Sequence, residues 1–297
     1  MSGFSAIDLA RLPSPQVIES LDYSSIFDAM LADLTARDPS FTALVESDPA
    51  YKILEVAAYR ELLLRSRIND ATKSVMLAYA TGADLEHLAA LFGVGRWVLD
   101  EGNDDSIPPT PKQYESDDRL RQRVQLSLEG HSTAGPVGSY VFHALNADAH
   151  VKDVSVTSPS PGTVQVTILS DDNQGIPSDG LLDTVMQTLN ADDIRPLTDH
   201  VMVQGASVIT YTVDATLHLY SGPDANVVKA AAEVALDDYV LRHHLLGHDI
   251  TLSGLYAALH QEGVQRVELH APTEDIVVEN VEAAWCSDMT LAVGSDS

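Results

Sequence analysis

The stretch VKDVSVTSPSPGTVQVTILS, Val151–Ser170, decides what kind of fold this chain builds. Its two runs, VKDVSVTSP and GTVQVTILS, alternate apolar and polar residues with period two, and Pro and Gly separate them. That pattern predicts a β-hairpin. Upstream, apolar residues recur every three or four positions, as helices require. The hairpin marks where a helical first half gives way to mixed structure, so the expected fold class is α+β.

Working forward, SDGLLDTVMQTLN reads as a helix and HVMVQGA as a strand, which completes one small unit. The pattern then recurs as strand VITYTVDATLHLY, helix PDANVVKAAAEVALDDYVL, helix TLSGLYAALHQE, strand VQRVELHAP and strand DIVVENVEAA. In both halves a Tyr-containing helix leads through a Val-rich strand to a proline, SYVFHALNADAHVKDVSVTSP beside GLYAALHQEGVQRVELHAP. Two small α+β units are expected, and an internal duplication is one reading of them.

Working backward, GPVGSYVFHALNAD and SDDRLRQRVQLSLEG read as helices, the second with Asp117 and Asp118 in its first turn, where the helix dipole favours them. The segment 97–116, rich in Asp, Glu and Pro, reads as a linker or exposed loop. Near the N-terminus, SSIFDAMLADLTARD gives a short helix with Ile26, Met30 and Leu34 on one face. Between them, Asp48-Pro49 opens a helical pattern that meets no Gly or Pro before Gly82. Pro49 to Thr81 would be a rod of roughly 50 Å. Its apolar residues form two near-heptad rows: Ala50, Ala57, Leu64, Ala71 and Ala78, then Leu54, Glu61, Ile68 and Val75. Packing within the chain's own domain and packing on another chain both fit such rows. Leu54, Ala57, Leu64, Ile68, Ala71 and Val75 are the candidate partner-facing residues.

The glycines that follow, in YATGADLEHLAALFGVGR, are expected to punctuate a helical hairpin. Gly82 stands where a left-handed cap ends the long helix, Asp84 caps the next one, and Gly93 and Gly95 end it. A phosphate-binding loop would need a strand before it, and here a helix precedes. The chain thus divides into a helical region 1–96, an acidic linker 97–118, a first α+β unit 119–206 and a second 207–297.

The charge is lopsided. Seventeen Lys and Arg stand against 44 Asp and Glu, a formal net of −27. Such a field repels nucleic acid and anionic membranes, so neither is an expected partner. Acidic bias of this kind is familiar in salt-adapted proteins, and a saline habitat is one reading of it. The lone Cys286 excludes an internal disulfide framework. MSGFSAIDLARLP lacks the basic and apolar regions of a signal peptide, and no run is long and apolar enough to span a membrane.

Chemistry is sparse. Paired acids such as Asp171-Asp172 and Asp237-Asp238 point to different faces of their elements and make no acid–base dyad. His243, His244 and His248 form the best metal candidate, but HHLLGHD lacks the intervening glutamate and contains Gly247, which is expected to end the helix. No nucleophile elbow, Walker loop or dinucleotide fingerprint is present. No catalytic residue, bound metal or cofactor is expected. In IRPLTDHV, Arg195 is expected to pair local carboxylates while Pro196 forces the turn before a strand.

Taken in order, LEVAAYRELLLRSRINDA, LAYATGADLEHLAALFGVGR, ESDDRLRQRV, AGPVGSYVFHAL, VKDVSVTSPSPGTVQVTILS and IRPLTDHVMV resemble the baseplate J-like proteins of contractile phage tails and tailocins. The likeness runs from about residue 12 to 285, and the acidic extension Trp285–Ser297 has no evident counterpart. The resemblance implies a structural protein of the virion tail baseplate, assembled in the host cytoplasm. It implies a wedge in which two copies join a tail protein I-like partner and contact a lysozyme-like wedge protein. The N-terminal helices would enter a shared bundle. The C-terminal domains would close a ring around the central hub or spike, and widening of that ring would trigger sheath contraction. The wedge component of a type VI secretion or related contractile injection system fits the same sequence. Two readings from other classes are a metal-dependent hydrolase built on His243, His244 and His248, and a salt-adapted binding module acting alone.

Overall fold

The computed structural model describes residues 9, 12–13, 15–41, 44–132, 135–222 and 224–294. Most of the leading stretch read for a signal lies outside them. The fold is α+β, with eight α-helices and eight strands among the described residues. The chain divides into two compact units, one formed by Ala6–Arg96 with Ser116–Val124, the other by Trp97–Glu115 with Gln125–Ser297.

The helical unit begins with α1 (Tyr23–Arg37), capped by the Asp22 carboxylate, which accepts the Ser25 N–H at 2.8 Å. It packs on α2 (Pro49–Ser74) through a small core of Ile26, Phe27 and Ala58, with Tyr51, Leu54 and Leu62 around it. Asn69, buried on the same side of α2, holds the incoming chain by bonds to both backbone groups of Glu19.

The long helix stops at Ser74, seven residues short of the expected Thr81, and its 26 residues span about 39 Å. Sequence offered no breaker there, and the reason is tertiary. The Arg121 guanidinium takes the Leu77 and Ala80 carbonyls at 2.7 and 2.9 Å, acceptors a continuing helix would have used itself. The Ser74 hydroxyl also bonds back to Ala71 O. Gly82 therefore does not cap the long helix; it opens α3 (Gly82–Ala90) with φ +53°, and Thr81, not Asp84, is the N-cap. Gly93 is left-handed at the end of that hairpin, as expected. The α3 turn is tied to α4 (Asp117–Gly130) by Arg96, which bonds Glu86 at 2.7 Å and Asp117 at 2.6 Å, while Gly82 N–H donates to the Asp117 carboxylate.

In the other unit, the Pro-rich segment is more ordered than an open linker. It folds back as the hairpin β1 (Val98–Asp100) and β2 (Gln113–Tyr114), extended by an Asn103–Thr110 bridge. Gly102 makes the turn possible: its φ is +69°, and a Cβ there would stand 2.4 Å from Thr110 O. Two α+β domains follow. The first contains α5 (Val137–Leu145), β3 (Val151–Ser160), β4 (Thr163–Ser170), α6 (Asp179–Leu189) and β5 (His200–Gly205). Its sheet runs β3-β4-β5, antiparallel then parallel, over a core that includes Tyr140, Leu145, Val166, Ile168 and Val185. A bulge between Val151 and Asp153 lets both Val151 and Val154 face that core, which strict alternation forbids.

Ala206 alone separates β5 from β6 (Ser207–Leu219), the middle strand of the second domain. There α7 (Ala225–His243) and α8 (Leu252–Leu259) lead to β7 (Val264–Ala271) and β8 (Glu282–Val293), giving the order β7-β6-β8. Both sheets have a middle strand antiparallel to one edge and parallel to the other. The chain visits them differently, since β4 comes second in its sheet and β6 first, so a plain tandem copy does not describe the pair. Gly247 lies beyond the end of α7, which stops at His243. The final strand begins at Glu282, not at the expected Asp275, and runs through Trp285 to Val293. A register shift opposite Tyr211 and Thr212 leaves Ser287 unpaired and broke the alternation that would have revealed it. Residues 275–281 are held instead by the Ile250–Ile276 bridge and by Asp249 accepting Val278 N–H.

Burial acts to raise the Asp117 pKa, but the hydrogen bonds from Arg96 and the Gly82 amide outweigh it and hold the carboxyl below its ordinary 3.8. A depressed acid stabilises the fold above its unfolded pKa, and the contribution is lost as pH falls through the folded value. Asp117→Asn is expected to cost about 1–2 kcal/mol at pH 7. Urea melts should show the gap from wild type shrinking below pH 3.8. An equal gap at pH 7 and pH 3 would exclude the ionised pair as its source.

Candidate assembly face

On α2 the apolar residues divide between two sides. Tyr51, Leu54, Ala58 and Leu62 turn toward α1. Leu54 thus departs from the partner-facing set and belongs to the intrachain core, while Ala57 is half-buried. The other side carries Leu64, Ile68 and Val75, exposed by 64%, 58% and 68%, with Ala71 also exposed between them. Ile53 and Val56 extend this stripe toward the helix start. At 100° per residue, Ile53, Leu64, Ala71 and Val75 fall within about 40° of one another. At its C-terminal end the small Ala71 side chain borders an open groove of about 320 Å³, lined also by Arg67, Asp70, Ser74 and Asp84.

Every large apolar residue on this stripe would contribute about 1.5–3 kcal/mol if fully covered. Scattered exposed apolar residues need no explanation, but a continuous stripe over most of a 26-residue helix does. The sequence rows found four of its members. They missed Ile53 and Val56, because a strict seven-residue step drifts around a 3.6-residue helix.

The remaining candidates do not converge on a reaction centre. His243 packs at a tilt on Tyr239 with ring centroids 4.2 Å apart, and His248 meets it edge-on at 6.0 Å. His244 turns away and is buried, its Nδ1 within 2.8 Å of Ala284 O and its ring beside Trp285. Burial pushes the pKa of both His243 and His244 down. Among the described residues, no group of three or more His, Cys, Asp or Glu is placed to hold a metal. Cys286 is buried, and that burial raises its pKa, so the thiol stays protonated.

Arg195 does not pair carboxylates as expected. Its guanidinium reaches the backbone carbonyl of Asp199 at 3.4 Å, and the Asp199 carboxylate instead accepts the Tyr140 hydroxyl at 2.8 Å. Burial first, then the hydrogen bond to Asp199 and the charge of that carboxylate, push the Tyr140 pKa up and keep it a donor. Pro196 packs over Gly135, where a Cβ would lie 2.7 Å from its ring. The turn before β5 is thus fixed by packing and backbone bonds.

Residues 46–103 match the Baseplate J-like N-terminal domain, 132–205 the Baseplate J-like central domain, and 211–292 the Baseplate J-like protein C-terminal domain. Baseplate protein J of Escherichia phage P2 is 45% identical over 295 residues, covering 97% of this chain and 98% of that one. A chain in the cryo-EM structure of the anti-feeding prophage baseplate is similar at 16% identity and a TM-score of 0.43, over 61% of this chain and 43% of that one. The C-terminal match reaches residue 292, so Trp285 onward, which forms most of β8, is part of the family domain and not an extension to it. With all three domains matched in order and a full-length relative at this identity, the chain belongs to the baseplate J-like family.

Proposed function

We propose that this chain is a structural wedge protein in the baseplate of a contractile phage tail or tailocin, taking part in the ring around the central hub and in the trigger for sheath contraction. The observation that carries the reading is the exposed apolar stripe of α2, in a chain whose family is built for assembly. Helix 49–74 supplies a face for a shared bundle, with a tail protein I-like chain and a lysozyme-like wedge protein as neighbours. The segment 97–118 serves as the joint, and residues 119–206 and 207–297 provide the contacts between copies. No catalytic step is assigned, because the baseplate task is mechanical and the buried His244 and Cys286 are engaged in packing.

Replacing Ala71 with Glu places a charge near the C-terminal end of the stripe without touching the α1 core. The expected outcome is loss of wedge assembly with the melting transition of the isolated chain kept within about 0.5 kcal/mol of wild type. A lost transition would assign the residue to the chain's own core.

Contacts between copies must overcome the formal −27 that each chain carries. Screening shortens from about 8 Å at physiological salt to about 3 Å at 1 M. In the Ala71→Glu background, sedimentation should therefore show self-association strengthening as salt rises. A variant that stays monomeric at every salt and concentration would move the copy-to-copy contact away from residues 119–297.

A further inference from the structure

The stripe on α2 is not purely apolar. Arg60 and Arg67 stand on it, both exposed and one heptad apart, which is about 10.5 Å along the axis. The helix as a whole carries five cations (Lys52, Arg60, Arg65, Arg67, Lys73) against three acids (Glu55, Glu61, Asp70), in a chain with a formal net of −27. Four other cations of the helical unit are already matched: Arg37 with Asp33, Lys52 with Glu55, Arg65 with Glu61 and Glu19, Arg96 with Glu86 and Asp117. Among the described residues, no carboxylate lies within ion-pair distance of Arg60 or Arg67. Asp70 and Asp84 line the groove beside Arg67 without pairing to it.

Resting on the reading of α2 as an assembly face, we infer that its occupant is an amphipathic helix of a different chain, apolar at its centre and carrying two carboxylates one heptad apart that meet Arg60 and Arg67. A second copy of this chain does not supply that surface. Antiparallel pairing about Leu63 and Leu64 would set Arg60 against Arg67 of the copy, and parallel pairing would set each arginine near its own counterpart. Glu61, the acid in the row of Ile68 and Val75, is already paired with Arg65, so the stripe offers no free acid to offset either arrangement, and facing like charges disfavour the pair. An acidic partner turns the same two positions into attraction. The planar guanidinium is suited to that task because it binds a carboxylate in two-pronged fashion.

The test uses the full chain co-expressed with the other baseplate components of its own tail. Arg60→Glu with Arg67→Glu should lower the yield of assembled complex at least about tenfold, the scale of lost close charge pairs at an interface. Thermal melting of the isolated chain should be unchanged, because both side chains are exposed. The charge-keeping pair Arg60→Lys and Arg67→Lys should assemble. Carbodiimide, which joins an amine to an adjoining carboxylate, should then link the introduced amines to acids seven residues apart on another protein. Wild-type yield from the glutamate pair would overturn the inference. So would links running to a second copy of this chain, or no links in assembled material. Leu64→Asp separates the two levels: if it also assembles normally, the reading of α2 as an assembly face fails. If it blocks assembly while the glutamate pair does not, only the acidic partner is excluded.

Discussion

A helix that is apolar on two opposite sides gains stability when both are covered, and among the described residues the apolar core against α2 is built with α1. The Ile26–Phe27–Ala58 cluster covers one side through α1. The other runs from Ile53 to Val75 with nothing in the described chain laid over it. A helix of this length gains little from backbone bonds alone, so its stability comes from what covers its faces. The unit is also small, and a marginal core is a natural property of a part that completes itself in a larger assembly. The Arg121 hold on the carbonyls beyond Ser74 adds to this arrangement, because it fixes where the stripe ends.

The second constraint lies in the α+β half, where two domains share one continuous run of backbone. With Ala206 alone between β5 and β6, an edge strand of one sheet becomes the middle strand of the next. Leu169, Ala206, Leu246 and Ala283 close the seam, and the Asp153 carboxylate reaches across it to the Leu246 amide. That carboxylate also serves the Val154 amide at the bulge in β3. Burial raises the Asp153 pKa, yet two amide donors hold the group in place. The domains are thereby coupled through hydrogen bonds and apolar contact.

Charge separates the two halves of the molecule in a way the total conceals. Residues 131–297 carry 5 Lys and Arg against 23 Asp and Glu, whereas α2 is locally cationic. Acids on β-domain surfaces keep sheet edges hydrated and discourage unplanned strand pairing. The cations on α2 stand where a neighbouring helix is proposed to sit. Like charge keeps copies apart and unlike charge selects a partner, so the same imbalance that raises solubility also sorts contacts.

Much of this was legible in the sequence. Period-two alternation gave the hairpin of β3 and β4, and period 3.6 gave every α-helix of the described chain, because side-chain burial imposes those spacings directly. The exposed stripe was half legible, in Leu64, Ile68, Ala71 and Val75, while Leu54 was assigned to the wrong side. Position within a heptad does not reveal which side the chain's own α1 will take. Other features depended on residues far apart in the chain. The end of α2 at Ser74 was set by Arg121, forty-seven positions later. The course of β8 was hidden by the unpaired Ser287, since a bulge erases the alternation by which a strand is recognised. Arg195 found a carbonyl where a carboxylate was expected, because Tyr140 had claimed the Asp199 side chain. Local periodicity determined the elements of this protein; their ends, registers and polar partners were decided by groups that only the folded chain brings together.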